Sequence, residues 1–296
     1  MTYEETVGRN IGLLSWQDQE KIRGTSVAVI GLGGVGSWAS VLVAKTGFGH
    51  IVVVDKDRYE LPNIVEQMMA TTKTIGKLKA EVAKEEASKH GPFAKINGIV
   101  KDIQSVEDVK GVCQGTDYVI CAVDDPVARV LVDRSCRTLG ITTLMAANIG
   151  WRIINSIHIP TEMSYEEHTH QISLGKSLTP QIISSLRMQQ RVFVACAGGF
   201  TPQYAEKYLG GEISYISYLG APSAFAASVA VNDLIKLVTG RGKPRIAPDC
   251  LAFDLLEMEH LEFGQVGLKT YRVIQAIMTR GIEEGIKIWK EVMGYR

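Results

Sequence analysis

Short apolar runs rich in β-branched residues alternate with helical patterns through the first half of the chain. The runs that predict strands are residues 27–30, 51–54, 94–100, 118–123 and 141–145. The segments between them that predict helices are residues 37–46, 76–89, 106–113 and 126–139. A repeated strand–helix alternation predicts an α/β fold with a doubly wound, mostly parallel sheet of the Rossmann type.

The second half departs from this alternation. Its predicted elements are a strand at 151–159, a polar loop at 160–174, a helix at 178–190, a glycine-rich loop or crossover at 191–220, an apolar helix at 221–238, and paired strands at 251–255 and 260–263. Two amphipathic helices follow, and Ile282, Ile286, Trp289 and Met293 recur there at helical spacing. We expect that end to pack on the body or on a second subunit. The pattern predicts a nucleotide-binding domain with a mixed C-terminal half over residues 1–267 and a helical extension over 268–296.

A glycine-rich turn follows the first strand. Gly31, Gly33 and Gly36 form G-x-G-x-x-G, Gly34 adds a fourth glycine, and Asp55 ends the second strand nineteen residues after Gly36. Glycines let the backbone approach a phosphate, the helix N-terminus offers free N–H donors, and the acid accepts from a ribose hydroxyl. The combination predicts a nucleotide site without identifying the nucleotide.

Two acids end the fourth predicted strand, in Asp124-Asp125-Pro126. Ligands bind outside the carboxyl ends of open parallel sheets, so Asp124 should face the same crevice as Gly33 and Asp55. Paired acids at that rim suit a magnesium ion. The alternative is an N-cap for the next helix, since Pro126 suits a first helical turn.

Composition narrows the class of protein. The 32 basic and 32 acidic residues cancel, so no excess of positive charge points to nucleic acid or an anionic membrane. The N-terminal residues have no signal-peptide pattern, and no run reaches the ~18 apolar residues of a membrane span. We expect a cytoplasmic protein with reduced thiols, because its 5 cysteines are scattered. The absence of any C-x-x-C predicts no structural zinc of the four-cysteine kind.

An ordered set of motifs resembles the adenylate-forming enzymes related to ubiquitin-activating enzyme, the ThiF/MoeB/HesA family. That family has an arginine before the first strand, then G-x-G-G-x-G, D-x-D, S-N-L-N-R-Q, G-x-x-K, and T-D-N with an arginine five residues beyond the aspartate. The matching residues here are Arg9, Gly31, Gly33, Gly34, Gly36, Asp55, Asp57, Asn63, Gln67, Gly76, Lys79, Asp124 and Arg129. The resemblance covers residues 9–242.

The resemblance implies that ATP is the nucleotide and that a carboxylate attacks its α-phosphate, releasing pyrophosphate. The preferred substrate is the C-terminus of a small ubiquitin-like or sulfur-carrier protein, and the preferred assembly is a homodimer. By resemblance, Asp55 would hold the ribose, Asn63 and Lys79 would contact phosphates, and Asp124 would place magnesium. Arg9 would reach the γ-phosphate of the neighbouring subunit's ATP, so that Arg9, Lys79 and Asp124 are the predicted catalytic residues. The other residues predicted to line the nucleotide site are Gly31, Gly33, Gly34, Gly36, Asp57 and Gln67.

The chain departs from the family pattern at two positions that bear on activity. Glu66 stands where the family has arginine, and Pro62 replaces its serine. A carboxylate at position 66 would repel a triphosphate. Either another cation such as Lys73 substitutes, the loop turns away, or the protein binds nucleotide without adenylating.

Two further classes of function stay open. An NAD-dependent oxidoreductase would also use the glycine turn and Asp55, but it does not account for Arg9, Asn63 and Lys79 in register. Residues 34–49 also resemble transfer-RNA threonylcarbamoyladenosine dehydratases of the same family, although the neutral charge argues against RNA.

One cysteine and one group of three polar residues outside these motifs carry reactive side chains. Cys196 lies where some members of the family place a reactive cysteine, and a buried, inert thiol is the favoured alternative. Glu167, His168 and His170 are candidate metal ligands, and a solvated loop is the favoured alternative there.

Overall fold

The computed structural model describes residues 1–295, with the side chains of all of these except residues 263–266. The described residues form one sheet, whose strands are β1 (Ser26–Ile30), β2 (His50–Val54), β3 (Lys95–Ile99), β4 (Tyr118–Cys121), β5 (Thr142–Ile149), β6 (Arg152–His158), β7 (Cys250–Asp254) and β8 (Glu259–His260). Their order across the sheet is β3-β2-β1-β4-β5-β6-β7-β8.

Helices occupy the connections between these strands. The α-helices of the described part are α1 (Tyr3–Val7), α2 (Trp16–Gly24), α3 (Gly34–Thr46), α4 (Lys79–His90), α5 (Val106–Cys113), α6 (Pro126–Leu139), α7 (Tyr165–His168), α8 (Pro180–Ala197), α9 (Pro202–Gly210), α10 (Gly220–Thr239), α11 (Phe263–Arg280) and α12 (Ile282–Met293). Two 3₁₀ turns occupy Gly8–Asn10 and Leu61–Val65.

The sheet is parallel in its first five strands and antiparallel in the last three. Strand β1 lies between β2 and β4, with Val29 beside Val53 on one side and Ile120 on the other. Strands β6, β7 and β8 are antiparallel additions, and β8 has only two residues. The predicted fold class is confirmed. Because the chain order reverses between β1 and β4, their carboxyl ends form the position where such sheets bind ligands.

Alternating side chains of β1 contribute to two separate cores. Val27 and Val29 pack with the helices α3, α4 and α10, whereas Ala28 and Ile30 pack with α5 and α6. Both faces of β1 are therefore covered, which explains why its sequence is a continuous apolar run rather than an alternating one.

Helix α10 is the one helix in the described part of the chain whose length and composition would suffice to cross a membrane. Buried core helices have the same properties, and Ala226, Ala230 and Leu234 of α10 belong to the core above the sheet.

Two predicted loops contain helices. Residues 191–197 continue α8, and α9 follows within the segment predicted to be a loop or crossover. The prediction was wrong because its glycines end helices: Gly198 caps α8, and Gly211 caps α9 in the left-handed conformation. The polar segment 160–174 also contains the short helix α7.

The C-terminal helices pack against the body of the chain, as the spacing of their apolar residues predicts. Trp289 of α12 is fully buried among Val192, Ala195 and Leu209. Its indole Nε1 donates to the carbonyl oxygen of Ala195 at 3.4 Å. The division of the chain at residue 267 stays a prediction.

Replacing this tryptophan tests whether the extension contributes to the stability of the whole fold. We expect Trp289→Ala to lower the free energy of unfolding by about 3–5 kcal/mol, the usual cost of removing a large buried side chain. Urea denaturation followed by circular dichroism would measure the loss. Lys287→Ala, at an exposed position of the same helix, is the control and should change stability by less than about 0.5 kcal/mol. A similar small change for Trp289→Ala would contradict the packing.

Candidate functional site

The glycine turn joins β1 to α3 through direct backbone contacts. Gly31 has a φ of 87°, and a Cβ there would lie 2.8 Å from the backbone of Ala122 and Val123. A Cβ on Gly36 would meet the carbonyl oxygen of Gly31. These two positions therefore require glycine for the close approach of three backbone segments. As a result, the N-terminus of α3 opens at the carboxyl ends of β1 and β4.

A crevice of about 210 Å³ lies at this point of the sheet. The predicted site residues that line it are Gly31, Gly33, Gly34, Asp55, Asp57, Gln67, Lys79 and Asp124, and Arg129 of the family pattern lines it as well. The fold thus brings together residues that are almost a hundred positions apart in sequence. Gly36 lies behind the lining, where it serves the packing of the turn.

Asp55 is held in place by the backbone. One carboxylate oxygen accepts from the backbone N–H of Leu32 at 2.7 Å, and the other accepts from that of Asp57 at 2.8 Å. Burial raises the pKa of the Asp55 carboxyl, against the opposing effect of these hydrogen bonds. Each oxygen keeps a lone pair for a further donor, so Asp55 can accept from ribose hydroxyls as predicted.

Lys79 is the first residue of α4 and is buried. Its ammonium lies 5.9 Å from the centre of the Tyr59 ring and 3.9 Å from the Oδ2 of Asp57. Asp57 itself is exposed, so this ion pair contributes little to stability. The side chain of Lys79 is therefore fixed by burial while its charge remains available to an anion in the crevice.

The two acids that follow β4 have separate roles. Asp125 is the N-cap of α6, and its Oδ1 accepts from the backbone N–H of Val127 at 3.4 Å. Asp124 is exposed at the edge of the crevice. The Nε of Arg129 donates to the carbonyl of Val123 at 2.7 Å, which fixes the segment that carries Asp124. The predicted N-cap is thus Asp125, and Asp124 is free to face a ligand.

Three residues proposed for the phosphates do not line the crevice of this chain. The Oδ1 of Asn63 accepts from the backbone N–H of Glu60 at 2.9 Å, within its own 3₁₀ turn. Arg9 is exposed on the turn Gly8–Asn10, and Lys73 is exposed as well. The roles predicted for Asn63 and Lys73 beside the phosphates stay predictions.

Glu66 does line the crevice, so the loop has not turned away at this position. Its Oε1 accepts from the Nε2 of Gln67 at 2.7 Å, and its Oε2 lies against Gly34, at the N-terminus of α3. Burial raises the pKa of the Glu66 carboxyl, and Asp124 adds to this while Lys79 opposes it. A carboxylate therefore occupies the end of a helix that would otherwise attract phosphate.

Tyr218 and Asn148 also line the crevice, and no sequence motif indicated either of them. Burial, followed by the charge of Asp124, raises the pKa of Tyr218, so its hydroxyl stays a donor at neutral pH. Asn148 is buried at the end of β5, and its Nδ2 has no hydrogen-bond partner. Its place at the carboxyl end of a central strand is the signal that could have identified it.

The two remaining candidates are Cys196 on α8 and residues 167–170, at the end of α7 and just after it. Cys196 is buried on α8, and burial raises the pKa of its thiol to about 11. The buried, inert thiol is thus the alternative that the structure supports. Ser164 is the N-cap of α7, the Oε2 of Glu167 accepts from the backbone N–H of Ser164 at 2.8 Å, and His168 is buried, so the prediction of a solvated loop was wrong there. In residues 1–295, within the described side chains, no group of three or more His, Cys, Asp or Glu could hold a metal.

Comparison with known proteins relates both the sequence and the fold to one family. A model described as the ThiF family matches residues 7–271. The chain is 34% identical over 150 residues to the tRNA threonylcarbamoyladenosine dehydratase of Haemophilus influenzae, covering 50% of this chain and 57% of that protein. It is 32% identical over 133 residues to the adenylyltransferase and sulfurtransferase UBA4 of Saccharomyces cerevisiae, covering 45% of this chain and 30% of UBA4.

Solved structures share the fold at lower sequence identity. MccB from E. coli with ATP superposes with a TM-score of 0.64 at 20% identity, over 82% of this chain and 65% of MccB. PaaA superposes with a TM-score of 0.65 at 16% identity, over 87% of this chain and 72% of PaaA. The chain spans little more than half the length of the dehydratase and less than a third of UBA4.

The buried position of Lys79 leads to a test of the crevice as a phosphate site. We expect Lys79→Met to weaken ATP binding roughly tenfold to a hundredfold, because hydrogen bonds to charged groups contribute about 1.5–3 kcal/mol. Isothermal titration calorimetry would measure the affinity. Lys77→Met, at an exposed position two residues earlier, is the matched control and should bind ATP like the unmodified protein. Equal affinity of the two variants would remove Lys79 from the site.

Proposed function

Because this chain belongs to the ThiF family, we propose that it activates a carboxylate by adenylation with ATP and magnesium. A carboxylate oxygen bonds to the α-phosphorus while the bond to the bridging oxygen of the β-phosphate breaks, and pyrophosphate leaves. The preferred substrate is the C-terminal carboxylate of a small ubiquitin-like or sulfur-carrier protein.

The observation that supports this proposal is the convergence of four groups on one crevice. The glycine turn presents the N-terminus of α3, Asp55 lies at the end of β2, and Lys79 and Asp124 face the space between them. Displacement at phosphorus asks mainly for positioning and for neutralisation of phosphate oxygens. The crevice offers both, and MccB, which shares the fold, has been solved with ATP.

Each of these groups has a defined part in the proposed reaction. Asp55 would orient the ribose, while Lys79 and the N–H groups at the start of α3 would hold phosphate oxygens. Asp124, which is exposed and forms no ion pair within the described part of the chain, would hold magnesium. The ion would supply neutralisation of phosphate charge.

The substrate proposal draws on the names of the relatives. UBA4 is an adenylyltransferase and sulfurtransferase, and MccB has been solved with MccA. The dehydratase relative instead supports a tRNA substrate, which the equal numbers of acidic and basic residues disfavour. A nucleotide-binding protein that does not adenylate is the second candidate, because the Glu66 carboxylate lies at the N-terminus of α3.

Exchange of labelled pyrophosphate into ATP tests the adenylation step. We expect exchange that depends on magnesium and on a small ubiquitin-like protein ending in Gly-Gly, and its loss in Asp124→Ala because the magnesium ligand is gone. Glu107→Ala, which removes an exposed acid from α5, is the control and should keep full exchange. A fully active Asp124→Ala would remove that residue from the site.

Other outcomes of the same assay would favour the other candidates. Exchange that requires tRNA in place of the protein would favour an RNA-directed enzyme. ATP binding without exchange, with exchange appearing in Glu66→Arg, would favour the non-adenylating protein. Absence of ATP binding with clear NADH binding would favour an oxidoreductase.

We further propose a homodimer in which Arg9 serves the crevice of the partner subunit. Support comes from its exposure on the turn Gly8–Asn10, outside the crevice of its own chain. Such an arrangement allows complementation between two inactive variants, Arg9→Ala and Lys79→Ala. When they are mixed and allowed to exchange subunits, about a quarter of the normal pyrophosphate exchange should return, since half the dimers are mixed and each has one complete site.

Capture of an affinity tag carried by the Lys79→Ala variant, with detection of untagged Arg9→Ala protein in the eluate, would confirm that mixed dimers have formed. Mixing Lys79→Ala with the double variant Arg9→Ala/Lys79→Ala is the control and should restore nothing. If Arg9→Ala alone keeps full activity, or if the mixture stays inactive although mixed dimers form, Arg9 has no role across the interface.

A further inference from the structure

Among the described residues, two carboxylates in the crevice lack an ion-pair partner, and one buried amide oxygen lacks a hydrogen-bond donor. Neither Glu66 nor Asp124 takes part in an ion pair within the described portion of the chain. Gln67 is 8% exposed and lines the crevice beside them. Its Nε2 donates to the Oε1 of Glu66 at 2.7 Å, which fixes the orientation of the amide and leaves its Oε1 buried without a hydrogen-bond partner.

The lining of the crevice has a formal excess of two negative charges. Its acidic residues are Asp55, Asp57, Glu66, Asp102, Asp124 and Asp125, and its basic residues are Lys56, Lys79, Lys101 and Arg129. Three of these cations already have acidic partners: Lys56 pairs with Asp102 at 3.1 Å, Lys79 with Asp57 at 3.9 Å, and Lys101 with Asp108 at 2.6 Å. Within the described residues none of these cations pairs with Glu66 or Asp124, and a polyphosphate entering the crevice would add further negative charge.

A divalent cation resolves both observations at once. Hard cations such as Mg²⁺ bind oxygen ligands, and they are commonly held by one or two carboxylates together with phosphate oxygens. One such ion carries the charge that the lining lacks. It would also give the buried Oε1 of Gln67 a partner, since an amide oxygen is a suitable ligand.

We propose that Glu66 is a second protein ligand of the crevice cation, beside Asp124, with the Oε1 of Gln67 completing the oxygen set. The proposal deepens and rests on the proposed function, in which Asp124 alone was assigned to magnesium. In this proposal Glu66 binds the ion that screens the phosphates, and it does not only repel the phosphates.

Binding of Mn²⁺, measured by electron paramagnetic resonance of the free ion, tests this role without reference to catalysis. The full chain is titrated without nucleotide and again with the non-hydrolysable analogue α,β-methylene ATP. We expect Glu66→Gln and Asp124→Asn each to weaken Mn²⁺ binding by about tenfold or more. Substituting a residue that only orients a metal ligand already costs about tenfold or more in affinity, so replacing a ligand itself should cost at least as much. Glu81→Gln removes the same charge from an exposed position of α4 and should leave the affinity within about twofold.

The outcomes separate this inference from the proposed function. If Glu66→Gln binds Mn²⁺ as tightly as the unmodified protein while Asp124→Asn does not, Glu66 is no ligand and the inference fails. It also fails if the unmodified chain binds no Mn²⁺, or if Glu81→Gln loses as much affinity as Glu66→Gln. Weakened Mn²⁺ binding in Glu66→Gln supports it even when no pyrophosphate exchange is found, and circular dichroism would verify that the variant is folded.

Discussion

The contact between Gly31, Gly36 and the end of β4 is the constraint on which the site depends. A side chain at Gly31 would strike the backbone of Ala122 and Val123, and one at Gly36 would strike the carbonyl of Gly31. Because neither residue has a side chain, β1 can turn sharply and α3 can begin directly above the sheet. The helix N-terminus, Asp55 and Asp124 then share one crevice. If these backbone segments lay farther apart, the start of α3, Asp55 and Asp124 would lie on separate surfaces.

Burial and hydrogen bonding within the crevice assign different tasks to chemically similar residues. Asp55 is fixed by two backbone donors, and Asp125 serves as the N-cap of α6. Asp124 is exposed and its carboxylate forms no ion pair within the described residues. Lys79 is buried beside an aromatic ring, whereas Lys77 is exposed. The position of each side chain relative to the start of a helix decides which of these roles it can take.

Much of the fold and part of the site could be predicted from sequence for a physical reason. The strands β1, β2 and β4 are largely buried on both faces, so their sequences are apolar after the first residue of β1 and β2. The ends of β2 and β4 then place Asp55 and Asp124. Asn63 and Lys73 lie in a loop outside the crevice lining, and a matching motif does not determine how such a loop orients its side chains. Tyr218 lies in a segment without periodicity, so its approach to the crevice depends on tertiary packing alone. Helix α9 was missed because glycines that end helices resemble those of a loop.

The sheet ends at β8, a strand of only two exposed residues. An edge this short offers another chain few backbone donors and acceptors, which disfavours strand pairing between molecules at this edge. The opposite edge is the five-residue strand β3, so this protection applies to the β8 edge alone.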